Sequence, residues 1–273
     1  MSFQRFFGHD IDFDKAATMF TIHHLIYVLC GVFTVFMVLK YAKRIKESKY
    51  EHHLKRYWVG LLLILEISYH IHNWTYPRLS LPLHICSFAT IMAIYLLLTD
   101  NKRVFNYVFF YGTLGGLMAL TFPNSVGYTY FNFRYYHFIF LHCTIIAVPL
   151  YYYKAYDYRV TYKTLWKVYK SVILLAVIVH LINLSFQHYG IDSNYWFISY
   201  VPSNVENIFT NYPFYVVTFM AAVFTSMNIL YFTTKDALTD ELIKELEKGK
   251  YNVVKYDYIN RELSPYVIVI QKQ

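Results

Sequence analysis

The stretch SLPLHICSFATIMAIYLLL, residues 80–98, passes from a proline through a histidine and a cysteine into an uncharged apolar run. Proline is well placed in the first turn of a helix, where its missing N–H costs nothing, so a helix is expected from about Leu81 with Pro82 in that turn. Such a run comes close to the roughly 20 residues of helix that cross a bilayer's hydrocarbon core. Polar side chains are costly at that depth and are found where they pack, bind or react. His84 and Cys86 therefore admit three readings: ordinary helix packing, an ion or metal site, or a nucleophilic thiol facing a lipid.

The rest of the chain places that stretch in a membrane. Hydrophobic residues make up 57% and charged residues 15% of the chain, where soluble domains carry about one quarter charged. Comparable apolar stretches lie at 18–39, 57–73, 104–122, 135–153, 168–188 and 213–232, which brings the number to seven. The expected fold is all-α: a polytopic membrane bundle of seven transmembrane helices over residues 1–232. Residues 233–273 form a short tail, with an amphipathic helix in KDALTDELIKELEKG and a strand or ordered end in YVIVIQKQ. The first seventeen residues hold Asp10, Asp12 and Asp14 and lack the basic start of a secretory signal, so the first stretch is expected to remain as an anchor. Phe3, Phe6 and Phe7 are expected as interfacial anchors along the outer surface. Three cysteines are too few for a disulfide framework, and Cys30 and Cys143 read as small buried hydrophobes.

Lys and Arg set the orientation. The connections after the first, third and fifth stretches hold fourteen of them, seven within residues 40–56 alone, and the alternate connections hold four. Basic residues favour the cytoplasmic side, so the amino terminus is expected outside and the carboxyl terminus in the cytoplasm. The formal charge of +8 is then a basic inner rim facing anionic headgroups, and no nucleic-acid partner is implied.

On this topology the unusual polar groups gather toward the outer side. Glu66, His70 and Asn73 are spaced four and three apart, hence on one helical stripe. His84 and Cys86 stand at the entry of the third stretch, Asn124 follows the fourth, and His137 and His142 open the fifth. His180, Asn183 and Gln187 form a second stripe, and the connection beyond adds His188, Asn194 and Tyr195. Their convergence predicts a polar pocket beneath the outer headgroups, with Glu66, His70, Asn73, Asn124, His180, Asn183, His188, Asn194 and Tyr195 as its substrate-binding wall. Packing contacts are the alternative for each residue singly. Within a regular helix His84 and Cys86 point about 200° apart, so a base for Cys86 has to come from another helix. His137, His142 and His180 are the candidates, with His84 on another wall or positioning substrate. No short paired spacing marks a zinc site, and no metal or cofactor is assigned.

His23 in the first stretch, LPLHICS at 81–87, the entry to the fifth stretch around His137 and His142, and the pattern GxxxNY at Gly190, Asn194 and Tyr195 followed by Pro202 together resemble the bacterial YwaF family. That family is similar to the eukaryotic transmembrane protein 164 family. The resemblance spans residues 1 to about 232. It implies a multi-pass protein of the bacterial plasma membrane acting as a cysteine-dependent acyltransferase, which moves a fatty acyl chain between lipids. Cys86 would be the nucleophile, His137 or His142 its activator, and a membrane phospholipid or other acylated lipid the partner. A proton-coupled transporter or solute-binding protein built on the Glu and His cluster is the rival reading, and a seven-span sensor is a third.

Overall fold

The computed structural model describes residues 3–12, 14–75, 80–202, 214–234, 251–257 and 267–272. In chain order the helices are α1 Phe3–Phe7, α2 Ile22–Lys46, α3 Glu51–Trp74, α4 Ile85–Thr99, α5 Lys102–Thr121, α6 Phe133–Ala155, α7 Tyr162–His188 and α8 Phe214–Thr234. A 3-10 turn, Tyr195–Phe197, follows α7. The tail contains an antiparallel pair, β1 Tyr251–Asp257 with β2 Val267–Lys272, so part of YVIVIQKQ is a strand. The amphipathic helix expected in KDALTDELIKELEKG lies outside the described residues.

The seven apolar stretches correspond to α2 through α8. Among the described residues five helices, α2, α5, α6, α7 and α8, are long and apolar enough to cross a membrane. The other two fall short for different reasons. α3 has the length, at 24 residues, but carries Glu51, Lys55, Arg56 and Glu66. α4 is apolar, but its 15 residues extend about 22 Å against a core of roughly 30 Å.

The start of α4 corrects an expectation. Pro82 is not in the first turn: the helix begins at Ile85, and His84 is its N-cap, with φ −68° and ψ 150°. Residues 81–84 are held by the connection after α7 instead. The Leu81 amide donates to the Tyr195 hydroxyl at 3.0 Å, and the Trp196 indole donates to the Leu83 carbonyl at 2.7 Å.

α6 is the hub, packing on α2, α3, α4 and α5, while α7 and α8 join the bundle through α5. Two glycines of GTLGG let α5 and α6 approach closely. Pro149 lies inside α6 and, lacking an N–H, leaves the carbonyl of Ile145 one turn earlier without its helical partner. That carbonyl faces Gly112, where a Cβ would stand 2.5 Å from it, and a Cβ on Gly116 would stand 3.0 Å from the carbonyl of His142. Small residues four apart thus set the depth of the backbone that carries His142.

At the end of the bundle formed by the α2–α3 turn and the start of α5, a polar and aromatic clasp closes the helices. Lys55 of α3 reaches Asp100 at 2.6 Å and Glu51 at 3.5 Å and also donates to the Tyr156 hydroxyl. Tyr152 donates to Asp100 at 2.5 Å, and Tyr151 and Tyr156 donate to Glu51 at 2.7 and 2.6 Å. The basic residues between the first two stretches are mostly helical, since only residues 47–50 separate α2 from α3.

Candidate functional site

At the opposite end α4 and α6 bring a thiol and an imidazole together. Cys86 Sγ lies 3.2 Å from His142 Nε2, and His142 Nδ1 lies 2.7 Å from the carbonyl of Phe138. A carbonyl oxygen only accepts, so Nδ1 holds the ring proton and Nε2 presents its lone pair to the thiol. The S–H of Cys86 is therefore the donor. Both residues of the pair are expected from sequence, but their meeting depends on the α4–α6 crossing.

The other histidines have different partners. His137 is 3% exposed, donates from Nε2 to the Leu65 carbonyl at 2.8 Å and stacks on Tyr69 at 5.5 Å, so it ties α6 to α3. His84 packs its ring against Tyr195 and Phe197, with centroids 5.0 and 5.6 Å away. His180 contacts the Ser199 hydroxyl at 3.3 Å. His188 is exposed at the end of α7, and Asn124 is half-buried in the α5–α6 connection.

Glu66 and its neighbours form a chain. Asn73 donates to the Ser80 hydroxyl at 3.0 Å, and the same hydroxyl lies 3.0 Å from His70 Nδ1. His70 Nε2 in turn lies 3.1 Å from Glu66 Oε1. The chain ends on a carboxyl whose other oxygen, Oε2, is buried without a partner among the described residues. Glu66 stands within electrostatic range of Cys86.

Asn183 is wholly engaged with the chain beyond α7. Its amide donates to the Tyr195 carbonyl and its oxygen accepts from the Tyr195 amide, both at 2.9 Å. Asn194 likewise holds the connection, donating to the Tyr200 carbonyl at 2.8 Å and accepting from the Ser199 amide at 3.0 Å. These bonds hold Trp196 and Phe197 at φ 61° and 56°, a conformation that costs non-glycine residues about 1–3 kcal/mol each. The strained turn places Trp196 against Phe88, one α4 position beyond Ser87, at 6.1 Å. The described part of the connection therefore covers the entry of α4, while its continuation from Ser203 lies outside the described residues.

The expected pocket residues thus fall into local groups: the thiol pair, the Glu66 chain, His137 bonded to α3, and Asn183 and Asn194 bracing the connection after α7. Two cavities flank the bundle. One, of about 540 Å³, lies between α2 and α3 beside Trp58 and Tyr151, and the other, of about 390 Å³, lies beside Arg5, Asp12 and Asn132. Neither is lined by Cys86 or His142. Among the described residues no three His, Cys, Asp or Glu side chains gather as metal ligands would.

Arg134, one of the four basic residues of the alternate connections, lies within a helix. It stands in the first turn of α6, with its guanidinium 4.1 Å from the Tyr69 ring centre and 5.7 Å from that of Tyr128. Nε and Nη1 are buried with no hydrogen-bond partner among the described residues, and none of the ion pairs found there includes it. A cation–π contact contributes about 0.5–2 kcal/mol, less than the several kcal/mol lost when an ion leaves water. His72, 5% exposed, is in a similar state: both ring nitrogens lack a partner among the described residues, although the backbone of Phe7 and Gly8 lies beside the ring. Neither state is legible from spacing, because each arises from burial that only the packed bundle imposes.

Compared with known proteins, the chain matches one family model, that of the TMEM164 family, over residues 19–231. No curated protein and no solved structure matches it.

Proposed function

The chain belongs to the TMEM164 family, and from that premise we propose that it is a lipid acyltransferase with Cys86 as nucleophile and His142 as its base. The observation that carries this reading is the 3.2 Å approach of Cys86 Sγ to His142 Nε2, with the imidazole tautomer held by the Phe138 carbonyl. A thiol is a weak nucleophile until a base takes its proton. In the first half-reaction His142 Nε2 takes that proton, sulfur attacks the ester carbonyl of a lipid, and the C–S bond forms. The C–O bond then breaks, and the departing lysolipid oxygen receives the proton from Nε2. In the second half-reaction an acceptor hydroxyl gives its proton to Nε2 and attacks the thioester, and sulfur leaves to recover the proton. Water must be kept out between the two halves, or the acyl chain is hydrolysed. The strained Tyr195–Phe197 turn over the start of α4 is suited to that exclusion.

In this reading α3 and α4 cross the bilayer with the other five helices, residues 1–232 form the catalytic domain, and the amino terminus faces outward. The short α4 and polar α3 suit spans enclosed by neighbours and lining a lipid-entry path. The membrane is the plasma membrane of a bacterium, and residues 233–273 lie in the cytoplasm.

Incubating the purified protein with radiolabelled phospholipid tests the proposal. A hydroxylamine-labile acyl adduct on the Cys86 peptide is expected in wild type and absent in Cys86→Ser. Undiminished acyl transfer by Cys86→Ser removes the thiol from the mechanism. A second reading rests on the Asn73–Ser80–His70–Glu66 chain, whose contiguous hydrogen bonds suit proton transfer in a coupled transporter. Proton flux into proteoliposomes that Glu66→Gln abolishes, together with no acyl transfer, would favour it.

A further inference from the structure

Arg134 and His72 have no part in the chemistry assigned to Cys86 and His142, yet both are buried polar groups at the same end of the bundle. Arg134 stands eight residues before His142 on α6 and packs on Tyr69, whose ring stacks on His137. No acidic side chain forms an ion pair with Arg134 among the described residues. The amino-terminal end of α6 adds positive potential. Its N-cap, Asn132, makes no side-chain bond to the helix and spends its carboxamide oxygen on the Thr129 amide at 2.9 Å. A guanidinium with buried N–H groups that lack a hydrogen-bond partner among the described residues, a buried imidazole beside it and an uncapped helix start all favour an anion with several acceptor oxygens.

We propose that Arg134 and His72 bind the phosphate of the lipid whose acyl chain Cys86 takes. This rests on the acyltransferase reading and assigns the headgroup phosphate to the buried groups at the amino-terminal end of α6. The guanidinium packs over the rings of Tyr69 and Tyr128, contacts that leave Nε and Nη1 without a hydrogen-bond partner among the described residues. His9, 4.2 Å from His72 between ring centroids and bonded to the Tyr128 hydroxyl at 2.8 Å, walls the site from the α1 side.

Native mass spectrometry of the full-length protein in detergent tests this with three probes: phosphatidylglycerol, diacylglycerol with the same chains, and inorganic phosphate. Wild type and Cys86→Ser are expected to retain phosphatidylglycerol and release diacylglycerol. Arg134→Gln is expected to bind phosphatidylglycerol at least tenfold more weakly, and Arg134→Lys to recover part of the loss. Equal retention by Arg134→Gln and wild type overturns the site. Inorganic phosphate binding as tightly as phosphatidylglycerol overturns the lipid assignment in favour of a free anion. As a measurement that needs no variant, a phospholipid with a photoreactive headgroup is expected to label peptides containing His72 or Arg134, and labelling confined to other regions overturns the proposal. Lipid binding by a Cys86→Ser protein that still transfers acyl chains defeats the thiol mechanism and leaves the phosphate site standing.

Discussion

His142 and His137 lie five residues apart on one helix, and their partners set their roles apart. His142 has a nitrogen free to receive a proton from Cys86, whereas His137 has its Nε2 proton committed to the Leu65 carbonyl. His142→Ala is therefore expected to lower the rate of acyl-enzyme formation by about 10²–10⁴-fold, the usual contribution of a general base. His137→Phe is expected to leave a buried carbonyl without one of its donors and to lose about 1–3 kcal/mol of stability, while acyl-enzyme still forms. Single-turnover labelling alongside thermal melts in detergent checks both, and the reverse pattern would make His137 the base.

Among the elements, the α5–α6 contact controls where His142 stands. A methyl group on Gly112 would meet the Ile145 carbonyl, a backbone atom that cannot swing aside, and a methyl on Gly60 of α3 would meet nothing within 4 Å. Gly112→Ala is expected to destabilise the protein by about 1–3 kcal/mol through overpacking and to slow acyl transfer by displacing α6. Gly60→Ala is expected to be neutral or slightly stabilising, as alanine replaces glycine within a helix. Unfolding midpoints of the two variants decide the matter, and equal midpoints would show that the crossing tolerates a wider separation. The α7 connection works in the same local way: Asn183 bonds both backbone groups of Tyr195, and that turn in turn holds the start of α4.

For the whole molecule, the distribution of charge and the two ends of the bundle carry one testable orientation. The Lys55–Asp100–Glu51 clasp and the basic α2–α3 turn mark one end, and the thiol pair with its covering turn lies toward the other. Tyr189→Cys, at a position 76% exposed, is expected to react with an impermeant maleimide on intact cells. Lys49→Cys is expected to react only after lysis, each placed in an otherwise cysteine-free chain. Reversed labelling would put the thiol pair on the cytoplasmic side and change the leaflet that supplies the lipid.

Long apolar runs and low charge were enough to establish a helical membrane protein, because the hydrocarbon core imposes the same demand on any helix of that length and polarity. The stripe of Glu66, His70 and Asn73 was equally legible, since helical periodicity places those residues on one face before any packing occurs. Local rules failed at Pro82, where hydrogen bonds from Tyr195 and Trp196, over a hundred residues away, held the chain outside the helix. They were silent about which histidine faces Cys86 and about the unbonded guanidinium of Arg134. Those features follow from how closely α4, α5 and α6 cross and from what each crossing buries, and that is settled by side-chain volume and competing hydrogen bonds across the bundle.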